Sequence, residues 1–155
     1  MADMLVRLYD LPPAADAVAA VAADGTVVRR ALVPERPVVN RFVATHFSPW
    51  QAEVDVCFAR QPVSCFVAAR GDELLGFACV EAVARGFFGP TGVPPAQRGR
   101  GIGRALLLVA LEALRDSGYA YAIIGGVGPA QFYARHANAM PIAGSDPGIY
   151  RGMLR

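Results

Sequence analysis

The run Arg98-Gly99-Arg100-Gly101-Ile102-Gly103-Arg104 places three alternating glycines beside three arginines. Glycine strips side chains from a short loop, and Ala105-Leu106-Leu107-Leu108 continues as the first turns of a helix, so several backbone N–H groups point outward together. A helix N-terminus adds about half a positive charge to such free donors. Arg98, Arg100 and Arg104 strengthen the field, and a phosphate or pyrophosphate is the natural ligand. The alternative is a glycine-rich turn that only joins a strand to a helix.

Two phosphate loops are excluded by residue type and spacing. A G-x-x-x-x-G-K-[ST] loop uses lysine to reach the outer phosphates of a nucleoside triphosphate, and this chain has no lysine. A dinucleotide fingerprint, G-x-G-x-x-G, fails in register. Counted from Gly99 it fits Gly103 only if shortened by one, and counted from Gly101 it meets Leu106. The downstream acid that would hold a ribose is missing too, since 118–128 is an apolar and glycine-rich run.

What Arg98 to Gly103 does satisfy is the pattern Q/R-x-x-G-x-G/A, flanked by Val93-Pro94-Pro95-Ala96-Gln97 on one side and an apolar helix on the other. In these residues the chain resembles the GNAT superfamily of acetyl-coenzyme A (acetyl-CoA) dependent N-acetyltransferases. The resemblance implies an α/β (α+β) fold with a mixed, mostly antiparallel central sheet flanked by helices. It also implies a wedge where the fourth strand splays from the fifth. Val93, Arg98, Gly99, Arg100, Gly101, Ile102, Gly103 and Arg104 are then the coenzyme-binding residues, with the Val93 amide polarising the thioester carbonyl.

The reaction implied is direct attack of an amine on the thioester, which requires a base for the ammonium and an acid for the departing thiolate. Tyr133, in Gln131-Phe132-Tyr133, matches the family's helix tyrosine, which faces the coenzyme sulfur as general acid; its alternative is a packing role. Glu81 is the candidate base. It falls late in the third expected strand among apolar neighbours, which would raise its pKa if it is buried; a surface-facing side chain is the alternative. His46 and His136 read as helix-end or surface histidines, and neither has a metal-ligand partner at useful spacing, so no metal is expected.

The acceptor half departs from the family pattern. Glycines at 125, 126 and 128 stand where many members carry an asparagine before the tyrosine, and Asn138-Ala139 replaces a familiar glycine-phenylalanine. An acceptor pocket would be built around Phe42, His46, Phe47 and Trp50, which read equally as core. The acceptor is a small-molecule or protein amine, and a homodimer stays open. A module that binds acyl-CoA as a sensor, without transferase activity, is the other function class.

Elements to position these residues follow from period and punctuation. Met4 to Tyr9 reads as a first strand, Ala14 to Ala22 as a helix, and Thr26 to Leu32 as strand or helix. Val38, Val39, Phe42, Val43 and Phe47 make Pro37 to Phe47 an amphipathic helix, and Ser48 could cap a further helix through Phe58. Val63 to Ala69 and Leu74 to Val83 form a hairpin, followed by a strand at Phe87 to Val93 that Gly89-Pro90-Thr91-Gly92 must bulge. Then come a helix to Asp116, a buried strand at Tyr119 to Gly125, and a helix at Pro129 to His136 closed by Asn138 in a left-handed position. Met140 to Ala143 and Ile149 to Leu154 read as a final hairpin.

At 155 residues, with 54% hydrophobic and 18% charged side chains, the chain can bury a core as a single domain spanning 1–155. Charged residues interrupt every apolar run before the roughly 18 residues of a membrane span, and no secretory signal is evident. A net charge of +2, with arginines dispersed outside the loop, disfavours nucleic acid as a partner. Cys57, Cys65 and Cys79 are odd in number and set among apolar residues, as buried thiols in a reducing cytoplasm would be.

Overall fold

The computed structural model describes residues 1–154. In chain order the regular elements are β1 (Met4–Arg7), α1 (Ala14–Ala22), β2 (Val27–Arg30), α2 (Arg36–His46), α3 (Gln51–Phe58), β3 (Cys65–Arg70) and β4 (Glu73–Val80). They continue with β5 (Phe87–Gly92), α4 (Ile102–Asp116), β6 (Tyr121–Ile124), α5 (Ala130–Ala137) and β7 (Met140–Pro141). The strands form one sheet in the order β2-β3-β4-β5-β6-β1-β7, antiparallel throughout except for the parallel pair β5–β6.

Helices cover both faces of this sheet, which explains why its central strands are nearly continuous apolar runs. Along β3, Phe66 and Ala68 face the core under α1 and α4, whereas Cys65 and Val67 face the core under α2 and α3. The 15-residue α4 lies against the first face and buries Leu106, Leu107, Leu108, Leu111 and Leu114 almost completely. Each such leucine stabilises the fold by about 1.5–3 kcal/mol. All three cysteines are free and buried, with Cys65 directly opposite Cys79 across β3 and β4.

Thr26 to Leu32 resolves as a strand, β2, on the sheet edge, so the expected wedge between the fourth and fifth strands is the opening between β5 and β6 when β2 is counted. Two expectations are corrected. The expected C-terminal hairpin has only its first strand. Residues Gly148–Tyr150 turn as a short 3-10 helix, and left-handed backbone at Gly148 and Gly152 interrupts any extended path there. β7 pairs instead with the N-terminal strand and forms the sheet edge, with Leu5 of β1 opposite Met140 on one side and Ile123 on the other. Finally, β4 stops at Val80, and Glu81 adopts a left-handed conformation with φ 57° that closes the turn into β5.

Candidate active site

The sheet opens between β5 and β6. Their pairing is confined to Phe87 opposite Ile123 and Phe88 opposite Ile124. Beyond those rungs, β5 continues as Gly89-Pro90-Thr91-Gly92 and β6 runs into Gly125 and Gly126, so small residues border the gap from both sides. A register shift between Ala78 and Val80 in the β4–β5 ladder bends β5, and the Thr91 hydroxyl donates to the Phe77 carbonyl at 2.9 Å, fixing it to β4. The result is a cavity of about 1050 Å³ that reaches from the glycine loop to α3 and the C-terminal turn.

At one end of this cavity lies the start of α4. Gly99 and Gly101 take left-handed conformations, φ 79° and 83°, and Gly101 is the N-cap residue of the helix with no side chain capping it. The first turn's N–H groups have no intrahelical acceptor, and they are left to bind whatever occupies the cavity. Val93, Arg98, Gly99, Gly101, Ile102, Gly103 and Arg104 all line it. Arg98 is steadied by donating from Nε to the Val93 carbonyl at 2.9 Å. Arg100 is not among the lining residues; its guanidinium donates to the Gln97 side chain at 2.8 Å.

Tyr133, on α5, lines the middle of the cavity and is only 7% exposed. Its ring packs edge-on against Phe88 and Phe132, and burial pushes the phenol up to about 12, so the hydroxyl stays protonated at any physiological pH. His136, one turn further along α5, also lines the cavity, 4.8 Å from the Phe132 ring. Burial and the charges of Arg104 and Arg135 lower its pKa.

Glu81 is placed elsewhere and is not among the lining residues. Its carboxylate accepts hydrogen bonds from the Tyr119 hydroxyl and, at 3.1 Å, from the Gly86 N–H, with Arg60 3.4 Å away. The expected rise in pKa is reversed. Burial does push upward, but the bonds from Tyr119 and Gly86 and the charges of Arg60 and Arg85 outweigh it and hold the carboxyl below its ordinary range.

The far end brings together side chains distant in sequence. Phe47 and Trp50 stack with centroids 5.4 Å apart, and both line the cavity with Glu53 and Tyr150. Phe42 and His46 pack beside Phe47 but are not among the lining residues. Glu53 and Tyr150 were missed in sequence. The spacing Phe47, Trp50, Glu53, three residues apart, is the signal that a shared helical face offered. No group of three or more His, Cys, Asp or Glu side chains among the described residues is arranged to hold a metal ion, and no helix is long and apolar enough to cross a membrane.

Residues 29–137 match the family model described as acetyltransferase (GNAT) family. No curated protein matches the chain in sequence. In fold it is similar to the GCN5-related glucosamine N-acetyltransferase region of a fungal multi-domain GH3 β-N-acetylglucosaminidase, with TM-score 0.75, 18% identity and coverage of 91% of this chain and 19% of that one. A GCN5-related N-acetyltransferase from Sphaerobacter thermophilus gives TM-score 0.67 at 21% identity, covering 91% of this chain and 48% of that one. A GNAT family acetyltransferase from Brucella melitensis, solved in complex with acetyl-CoA, gives TM-score 0.56 at 21% identity over 77% of this chain and 88% of that one. The chain thus spans about a fifth of the first of these structures and about half of the second.

Proposed function

The chain belongs to the GNAT acetyltransferase family, and from that premise we propose that it transfers an acetyl group from acetyl-CoA to a primary amine by direct attack within a ternary complex. The observation that carries this reading is the continuity of one cavity from the uncapped start of α4, along the end of β5, past Tyr133. Acetyl-CoA supplies the activated thioester carbonyl. The first-turn N–H groups of α4, with Arg98 and Arg104, hold the pyrophosphate; the open space around Gly99, where an added Cβ would meet nothing within 4 Å, suits close approach of an anion to backbone. Val93, immediately after β5, offers its amide to the carbonyl oxygen. Tyr133 keeps its hydroxyl proton until the departing sulfur needs it. Three buried free thiols suit a reducing compartment such as the cytoplasm.

A second reading, a module that binds acyl-CoA without chemistry, is favoured by the engagement of Glu81 away from the cavity. A thiol-release assay with acetyl-CoA and a panel of amines separates the two. Wild type turns over, and Tyr133→Phe loses about 10²–10⁴ in kcat, the usual value of a positioned proton donor, while coenzyme affinity changes by less than about twofold because the lost hydroxyl is far smaller than the binding surface. Tight coenzyme binding without turnover of any amine establishes the second reading instead.

A further inference from the structure

The lining of the cavity is divided by charge. Arg98 and Arg104 lie on the loop and α4, whereas Glu53, on α3, is the one carboxylate among the described lining residues; the Met1 ammonium, also in the lining, is paired with Asp146 at 2.7 Å. Glu53 is half-buried, and no arginine or histidine among the described residues pairs with it. Aromatic rings surround this end. The Phe47 ring presses on the end of β5, where a Cβ on Gly92 would lie 2.7 Å from it, and Trp50 stacks on Phe47 within 11° of parallel. Tyr150 closes the opposite side, its hydroxyl 3.4 Å from the position of a Cβ on Gly125 at the end of β6. Burial, then the negative charges of Glu53 and Asp3, raise the Tyr150 pKa, so the Glu53 carboxylate is electrostatically coupled to that phenol.

Glu53, Val83 and Tyr150 also line a second, shallower cavity of about 370 Å³. Apart from Glu53 and Tyr150, its walls are apolar: Ala52, Val56, Ala82, Ile149 and Met153. Glu53 therefore stands at the junction of the large cavity and a shallower apolar groove. Resting on the acetyl-transfer reading, we propose that the acceptor is a monoamine with an apolar body and no carboxylate. Glu53 binds its ammonium at the junction, the neighbouring rings add cation–π attraction, and the groove takes the body. An amino acid would bring a second carboxylate against Glu53 or into the groove, where the Met1 ammonium is already paired with Asp146. A diamine would leave its second charge in the apolar groove without an anion.

The test titrates 2-phenylethylamine by calorimetry into protein saturated with coenzyme A, with the coenzyme titrated separately. Glu53→Gln is expected to weaken the amine at least tenfold while coenzyme affinity stays within twofold; L-phenylalanine and 1,4-diaminobutane bind wild type at least tenfold more weakly than 2-phenylethylamine. Val56→Arg, at an exposed position of the groove, is expected to weaken the amine without unfolding the protein. Amine affinity unchanged in Glu53→Gln or in Val56→Arg overturns the proposal. So does equal binding of L-phenylalanine, or no amine binding to a wild type that holds coenzyme. Turnover is read separately: amine binding without acetyl transfer sinks the acetyl-transfer reading and leaves the amine site standing.

Discussion

The two ends of the cavity are built from different materials. The end proposed for the coenzyme is local and made of backbone: seven consecutive residues, Arg98 to Arg104, supply a left-handed N-cap, the free donors of α4 and two lining arginines. The end proposed for the acceptor is assembled from side chains of separate segments, Phe47, Trp50 and Glu53 from the α2–α3 region and Tyr150 from the C-terminal turn. A pyrophosphate is the same in every complex and can be met by peptide groups at a helix start. An acceptor must be told from other amines, which takes side chains of particular shape and charge.

The difference is sharpest at Gly101, where the largest effect on binding is expected. A Cβ there would meet only Val21 at 3.6 Å, so space is available; the constraint is φ 83°, which a β-branched residue resists. Gly101→Val should re-aim the first turn of α4 and cost one or two charge-assisted hydrogen bonds at about 1.5–3 kcal/mol each, or about a hundredfold in coenzyme affinity. Amine affinity for the far end should be unchanged by calorimetry. Equal losses at both ends would show that the two are one site. Gly103 lacks the positive φ, and a Cβ there makes an ordinary 3.5 Å contact with Phe132, so Gly103→Ala should be mild.

Legibility in the sequence followed the same division. The loop, α4, the β3–β4 hairpin and the left-handed Asn138 at φ 51° are set by neighbours within a few residues, and each was readable from local pattern. The strand β2 was ambiguous because Val27-Val28-Arg29-Arg30 sits on an edge, where half-exposed positions blur the alternation. The last hairpin misled because Gly148 and Gly152 take positive φ and break its second strand, while β7 pairs with β1, from the other end of the chain. The positions of Glu81 and Glu53 relative to the cavity were hidden for a related reason. One turn residue folds Glu81 back onto Tyr119, whereas the value of Glu53 depends on Tyr150, 97 residues further along.

Gly92→Ala tests whether the aromatic platform is held by the strand that serves the coenzyme. An added methyl 2.7 Å from the Phe47 ring must displace that ring and loosen its stack with Trp50. Overpacking of this kind costs about 1–3 kcal/mol, which for a chain of this size lowers Tm by roughly 2–10 °C. Amine affinity should fall about fivefold, a loss of about 1 kcal/mol, and coenzyme affinity less. Were coenzyme affinity to fall more than amine affinity, Gly92 would belong to the backbone-built end and the boundary between the two would move toward Phe47.

The smallest effect on activity is expected at Glu81, the carboxylate that the fold uses and the cavity does not. Glu81→Gln weakens the bonds from Tyr119 and Gly86 that close the turn between β4 and β5, at about 1–2 kcal/mol of stability, and should leave kcat within about twofold because nothing in the transition state is touched. The pH dependence gives a second reading. Because the folded-state pKa of Glu81 is lowered, its contribution is fully present above the ordinary carboxylate range and fades as pH falls through that range toward the lower folded value. Denaturant unfolding of the two proteins from pH 7 down to pH 3, roughly spanning that range, should therefore show stability curves that converge on the acid side. A hundredfold fall in kcat with parallel stability curves would instead make Glu81 the base.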